Sequence, residues 1–366
     1  MIRSAARCRG PPISPHPPVE ALVTWLDPHP FLHGVAWLDE GRPVRADPAD
    51  RGRLPRDTWD RAVLPTGVRL EFTAGGARAV RLRYRAAMTG PDLLPDCFAL
   101  WQSDRCLSET FAEPAAEAAV TIPLPTGARG RFTVYLPEPR APVVLGLRAV
   151  GGPVAPAPAR PRWLVHGDSI TEGWWSTRPA RSWPATAGRR LALDTVNLGY
   201  AGTAHGELAI AEQLAALPAD VLTLAFGTNC WSKVPCSPPL LYETVRAFLT
   251  VVRQGHPGVP LLMVSPVLRP AAEHAPNRLG ATLAELRAAL ERAVAERARE
   301  DSLLALLPGR DVLGPGQLAD GIHPDDEGHA LLADAVTGAL SPLLERSGGG
   351  PPRLIRPRAD PRAAAW

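Results

Sequence analysis

The stretch Gly151-Gly152-Pro153-Val154-Ala155-Pro156-Ala157-Pro158 divides this chain between two different rhythms. Ahead of it, short runs alternate apolar and polar residues, as in Val68-Arg69-Leu70-Glu71-Phe72 and Ala79-Val80-Arg81-Leu82-Arg83-Tyr84. Phe132-Thr133-Val134-Tyr135-Leu136 and Val143-Val144-Leu145-Gly146-Leu147 continue the series, and glycine-rich turns such as Ala74-Gly75-Gly76 separate the runs. Alternation with period two places every second side chain on one face of a strand. Several such strands with turn punctuation and almost no helical periodicity predict an antiparallel β-sandwich, with jelly-roll-like topology the expected form.

Beyond the break, strand-length apolar runs alternate with helical patterns. Trp163-Leu164-Val165-His166, Val221 to Phe226, Pro260 to Ser265 and Ser302 to Leu307 read as buried parallel strands. Leu240 to Arg253, Leu279 to Glu300 and Asp326 to Leu344 carry apolar residues at helical spacing, the first behind a Ser237-Pro238 cap. This half is expected to be a flavodoxin-like α/β/α sandwich with a mostly parallel sheet. The expected organisation is a disordered segment over 1–20, the β-sandwich over 21–150 and a Pro/Gly linker over 151–160. The α/β domain follows over 161–346, with a disordered tail over 347–366.

Chemistry concentrates in the second half. Gly167-Asp168-Ser169-Ile170-Thr171-Glu172-Gly173 follows the first of its strands, so Ser169 enters a helix at the C-terminal edge of the sheet. Open α/β sheets bind ligands there, and the helix start offers unpaired N–H groups and a positive dipole end. Three further blocks follow in order: Asn197-Leu198-Gly199-Tyr200-Ala201-Gly202, Gly227-Thr228-Asn229 and Asp320-Gly321-Ile322-His323-Pro324.

These four blocks resemble the SGNH (GDSL-type) hydrolase superfamily over roughly residues 160 to 345. The resemblance implies Ser169 as nucleophile, His323 as general base and Asp320 as its orienter. The oxyanion donors it implies are the Ser169 and Gly202 N–H groups and the Asn229 amide. The implied chemistry is ester cleavage through an acyl-serine intermediate, with no cofactor. Water as acceptor makes an esterase, and a bound alcohol makes an acyltransferase acting on a natural product or sugar. A carbohydrate-binding protein with an inactive hydrolase domain is the third alternative; the retention of Ser169, Asn229, Asp320 and His323 weighs against it. No Gly-x-Ser-x-Gly elbow supports an α/β-hydrolase.

Asp320, His323, Asp325, Asp326 and His329 cluster within ten residues, yet match no standard zinc motif, and no metal is expected. His329 reads as a packing or capping residue of the last helix. Trp174, Trp175 and Trp231, with Arg178 and Arg269, are candidates to hold a ring-bearing, acidic or sugar-like acyl ester. Cys230 and Cys236 flank the loop after Asn229, and whether they are bridged stays open.

A net charge of +3 gives no electrostatic case for nucleic acid or a membrane surface, and no apolar run reaches membrane-spanning length. Basicity is almost all arginine, Lys233 being the sole lysine. With 42 prolines, that bias suggests a GC-rich coding background rather than phosphate binding. The arginine-bearing start lacks an apolar h-region, and five scattered cysteines make no disulfide framework. A cytoplasmic enzyme acting on a small-molecule acyl ester, with undetermined oligomeric state, is the expectation.

Overall fold

The computed structural model describes residues 24–86, 96–113 and 115–347. The disorder expected of residues 1–20 and of the tail beyond Ser347 lies outside the described residues.

The N-terminal half builds two larger antiparallel sheets, beside a two-stranded ribbon of Trp37–Asp39 and Arg42–Val44. One orders the strands Leu32–His33, Arg69–Gly75, Arg129–Tyr135, Cys97–Gln102 and Arg105–Phe111; the other orders Val143–Val150, Ala79–Arg85 and Ala118–Pro123. The chain crosses between the sheets at most connections, the jelly-roll-like habit. The period-two pattern explains the packing, because Leu70, Phe72, Phe132 and Val134 from one sheet meet Val80, Leu82, Ile122 and Leu147 from the other in one core. The Gly/Pro stretch is not merely a spacer: Val154–Pro156 pairs antiparallel with Arg69–Gly75 at that sheet's margin.

The C-terminal half holds five parallel strands in the spatial order Asp194–Gly199, Arg162–Gly167, Val221–Ala225, Leu261–Val264, Leu304–Leu307. In chain order this is 2-1-3-4-5, the flavodoxin-like arrangement. Helices Leu208–Ala216, Pro238–Gly255 and Leu283–Ala298 cover one face, and Trp183–Arg190 and Asp326–Arg346 the other. The expected Ser237-Pro238 cap is present, whereas the helix expected from Leu279 starts at Leu283, behind Thr282. Ser237 accepts from the Leu240 N–H, and Thr282 with Glu285 closes a capping box. The third long helix begins behind Asp325, whose side chain accepts from the Gly328 N–H.

Two features depart from the sequence reading. The near absence of helical periodicity before residue 150 hid the seven-residue helix Arg56–Ala62. That helix and its flanks, within the span assigned to the sandwich, pack on the α/β domain: Ala46, Leu54, Trp59 and Ala62 belong to its core. The halves are also tied by buried charge. Arg69 donates to Asp194 Oδ1 at 2.8 Å and to the Thr195 carbonyl at 3.0 Å. Burial alone would raise the Asp194 carboxyl, but His33 and Arg69 beside it hold it well below the usual range. Among the described residues no helix is long and apolar enough to cross a membrane.

Candidate active site

The 2-1-3 strand order makes the end of Arg162–Gly167 a switch point, flanked by the ends of Asp194–Gly199 and Val221–Ala225. The first three sequence blocks therefore meet, although up to 60 residues separate Ser169 from Asn229 along the chain. Gly167 permits the sharp exit from its strand, since a Cβ there would lie 2.2 Å from Thr171 Oγ1 and 2.3 Å from the Ala225 carbonyl. Asp168 then caps the short helix Ser169–Glu172, its Oδ1 accepting from the Ile170 N–H at 3.0 Å. Burial pushes the Asp168 carboxyl up to about 6, against the pull of that N–H and of His323. Ser169 is the first residue of the helix, so its own N–H has no intrahelical acceptor.

The fourth block arrives on a turn ahead of the last helix. Asp320 Oδ1 accepts from the Ile322 and His323 N–H groups at 3.0 and 2.8 Å, which locks the turn. Its Oδ2 stands 2.7 Å from His323 Nδ1, and His323 Nε2 stands 2.9 Å from Ser169 Oγ. Partial burial would raise the Asp320 carboxyl, but the bonds from His323 and Ile322 hold it below the usual range. An ionised carboxylate accepts only, so it fixes the Nδ1–H tautomer and leaves Nε2 as a hydrogen-bond acceptor facing the Ser169 hydroxyl.

Gly202 has φ +73, a left-handed turn where glycine is unstrained. Asn229 opens the helix Asn229–Ser232 and donates from Nδ2 to the Thr203 carbonyl at 2.5 Å. That bond orients the amide and ties it to the Gly202 loop, and the second amide hydrogen remains for another acceptor.

The substrate-binding candidates separate. Trp174 lies beside His323, ring centroids 5.6 Å apart. Trp175 is half exposed and has φ +66, a left-handed conformation costly for a bulky residue. Both line a cleft of about 420 Å³ between the two halves, with Arg61, Thr66, Glu138 and Glu172 on its walls. On another side, Arg269 stacks 4.8 Å over Trp231 and donates to Ser232 Oγ. Its Nε is enclosed without a partner. Arg178 does something else. Its guanidinium grips the Glu109 carboxylate at 2.5 and 2.9 Å, fastening the sandwich to the α/β domain.

The acidic and histidine residues around position 325 disperse. Asp325 caps its helix, Asp326 accepts from Thr177 and Arg181, and His329 Nε2 meets the Trp174 carbonyl at 3.0 Å. Burial drives His329 down to about 4, so it is neutral near pH 7 and positions the segment carrying Trp174. Among the described residues no group of three or more His, Cys, Asp or Glu side chains could hold a metal ion. Cys230 and Cys236 are free thiols.

Sequence reasoning missed Arg61, Glu138, Glu172 and Lys233. Glu172 stood in the Ser169 block, and an acidic residue closing so short a helix was the available signal. Arg61 and Glu138 come from the N-terminal half and carry no local mark of the site. Lys233 lies with its Nζ 3.9 Å from where a Cβ on Gly202 would sit.

Known proteins share the family and the fold of this chain. Residues 165–331 match the GDSL-like lipase/acylhydrolase family. The GDSL lipase Rv0518 of Mycobacterium tuberculosis is 30% identical over 231 residues, spanning 54% of this chain and 93% of that one. Among solved structures, the salicylyl-acyltransferase SsfX3 from a tetracycline biosynthetic pathway superposes with TM-score 0.75 at 22% identity, covering 92% of this chain and 98% of that chain. A family two carbohydrate esterase from Clostridium thermocellum, in complex with cellohexaose, gives TM-score 0.57 at 17% identity over 76% and 92% of the two chains. At these identities the structural likenesses are likenesses of fold. The sequence relative settles more: this chain belongs to the GDSL-like lipase/acylhydrolase family and is an enzyme of that class.

Proposed function

We propose that this enzyme cleaves acyl esters through an acyl-serine intermediate. The observation that carries the reading is the unbroken relay from Asp320 through His323 to Ser169, at 2.7 and 2.9 Å. In it, His323 Nε2 takes the Ser169 proton as Oγ attacks the ester carbonyl, then returns that proton to the leaving alcohol. Asp320 holds the ring and stabilises the imidazolium. The Ser169 and Gly202 N–H groups and the free Asn229 amide hydrogen receive the negative charge on the carbonyl oxygen. Water then repeats the attack on the acyl-serine, with His323 as base, and releases the acid.

The cleft between the halves supports a second reading, transfer of the acyl group to an alcohol. Transfer competes with water only where the alcohol is held and water is kept out. Trp174 borders both the cleft and His323, so an alcohol bound against it would lie beside the base. Arg269 and Lys233, on the wall carrying Asn229, suit an acyl group bearing an anionic substituent. The deciding experiment labels Ser169 with a fluorophosphonate, then follows acyl esters of increasing size by mass spectrometry with and without polyhydroxylated alcohols. Ser169 adducts with free acid alone support the esterase; acylated alcohol supports the transferase. Absence of both labelling and turnover rejects both readings and favours a binding role.

A further inference from the structure

Glu172 ends the short helix that Ser169 begins, yet its partners all lie elsewhere in the chain. Its side chain is 4% exposed. Oε2 accepts from the Ala201 N–H at 2.6 Å and from Arg61 Nε at 3.2 Å. Oε1 accepts from Arg61 Nη2 and lies 3.5 Å from Arg45 Nη2. Arg45 is itself fully buried, and its Nη1 donates to the Gly199 carbonyl. Its Nε donates to the Leu64 carbonyl at 2.8 Å and its Nη2 to the Arg61 carbonyl at 2.5 Å. The Tyr200 hydroxyl donates to the Arg45 carbonyl, and the Arg45 guanidinium lies 5.2 Å from that ring's centroid. Residues 199, 200 and 201 are thus each bonded to Arg45 or to Glu172, and the next residue is Gly202.

We infer that Glu172, gripped by Arg61 and Arg45, is a positioning residue for the oxyanion loop. It holds the Ala201 N–H and so fixes the direction in which the following Gly202 N–H points. A left-handed glycine flanked by a free peptide can turn that N–H away at little steric expense; a charge-assisted bond one residue earlier removes the freedom. Two guanidiniums face the carboxylate in this enclosed place, and each side of the cluster requires the other. Both arginines lie between the sandwich strands Leu32–His33 and Arg69–Gly75, so the loop is ordered only when that segment is docked on the α/β domain. The inference rests on the reading of Gly202 as an oxyanion donor.

The test uses the full chain with Glu172→Gln, Arg61→Gln and a control, Arg53→Gln. Arg53 joins the same N-terminal segment to Glu212 at the surface. Turnover of 4-nitrophenyl acetate, inhibition by a boronic acid that mimics the tetrahedral intermediate, Ser169 labelling by a fluorophosphonate and thermal unfolding are measured on each. Misplacing one donor should lower kcat by about tenfold or more, with KM changed by less than about threefold and boronate affinity falling in parallel. The control should match wild type in every kinetic readout. Arg61 is 27% exposed, so Arg61→Gln remains informative where Glu172→Gln does not fold. A folded Glu172→Gln or Arg61→Gln protein that unfolds at lower temperature but keeps wild-type kcat and boronate affinity overturns the inference. Failure of the fluorophosphonate to label wild-type Ser169 would instead remove the acyl-serine reading, and the inference with it.

Discussion

Trp174 and His323 lie ring against ring, centroids 5.6 Å apart and planes tilted by 31°. The indole shields one side of the imidazole, and Arg61 stands 5.5 Å from it. Its backbone carbonyl meets His329 Nε2. Trp174 therefore links His323, the cleft and the N-terminal half.

Trp174→Ala should lower kcat/KM by about tenfold or more on aromatic esters and by less on acetate esters, since the bulky substrates use the wall that is lost. Trp174→Phe should recover most of the difference. Equal losses on both ester classes would move Trp174 from substrate binding to support of His323.

Ser169→Ala and His323→Ala should each remove nearly all turnover while leaving the fold intact. Asp320→Asn should keep roughly a hundredfold more activity than Ser169→Ala, because the orienter is the least demanding member of such a unit. Circular dichroism and steady-state rates on the three purified variants check this. A Ser169→Ala protein that retains a few per cent of wild-type rate is incompatible with an acyl-serine.

Asn229→Ala removes an amide donor and should lower kcat by about 10²–10³, or ~3 kcal/mol, with a much smaller change in KM. The Thr203 carbonyl loses a partner as well, so thermal unfolding of the variant belongs in the comparison. A pure KM effect would make Asn229 a substrate-binding residue.

What the sequence could reveal was whatever is local. Val165 to Ser169 is a strand, a tight exit and a helix start in a few residues, and the Asp320–His323 turn is shorter still. The strands Arg69–Gly75 and Ala79–Arg85 follow from alternation alone. Helix Trp183–Arg190 escaped notice because Pro184 and Gly188 interrupt an eight-residue pattern. Leu208–Ala216 is alanine-rich and apolar on nearly every face, which leaves little contrast for a periodicity to show. Arg61 meets Glu172 across 111 residues, a contact only the docked halves create. Arg178 looked suited to a substrate because a free arginine is the usual anion ligand; its actual partner, Glu109, comes from the other domain. Tertiary pairing of this kind leaves no periodic trace.

The cleft also carries a titration that stability should report. Glu138 accepts from the Gly67 N–H at 2.7 Å. Burial pushes its carboxyl up to about 8; Gly67 and Arg45 oppose this, and the nearby Glu172 charge adds to it. A carboxyl raised in the folded state binds a proton there that the unfolded chain has already released. Its stabilising contribution is therefore complete below the ordinary value of 4.5 and is lost as pH rises through about 8. Glu138→Gln keeps an oxygen for the Gly67 N–H but cannot ionise. Its Tm should match wild type near pH 4.5, then exceed it by a growing margin up to pH 8.5. Thermal unfolding at half-unit pH steps measures the divergence. Parallel Tm curves for the two proteins would mean that Glu138 titrates at an ordinary pH, its charge accommodated by solvent in the cleft or by Arg45.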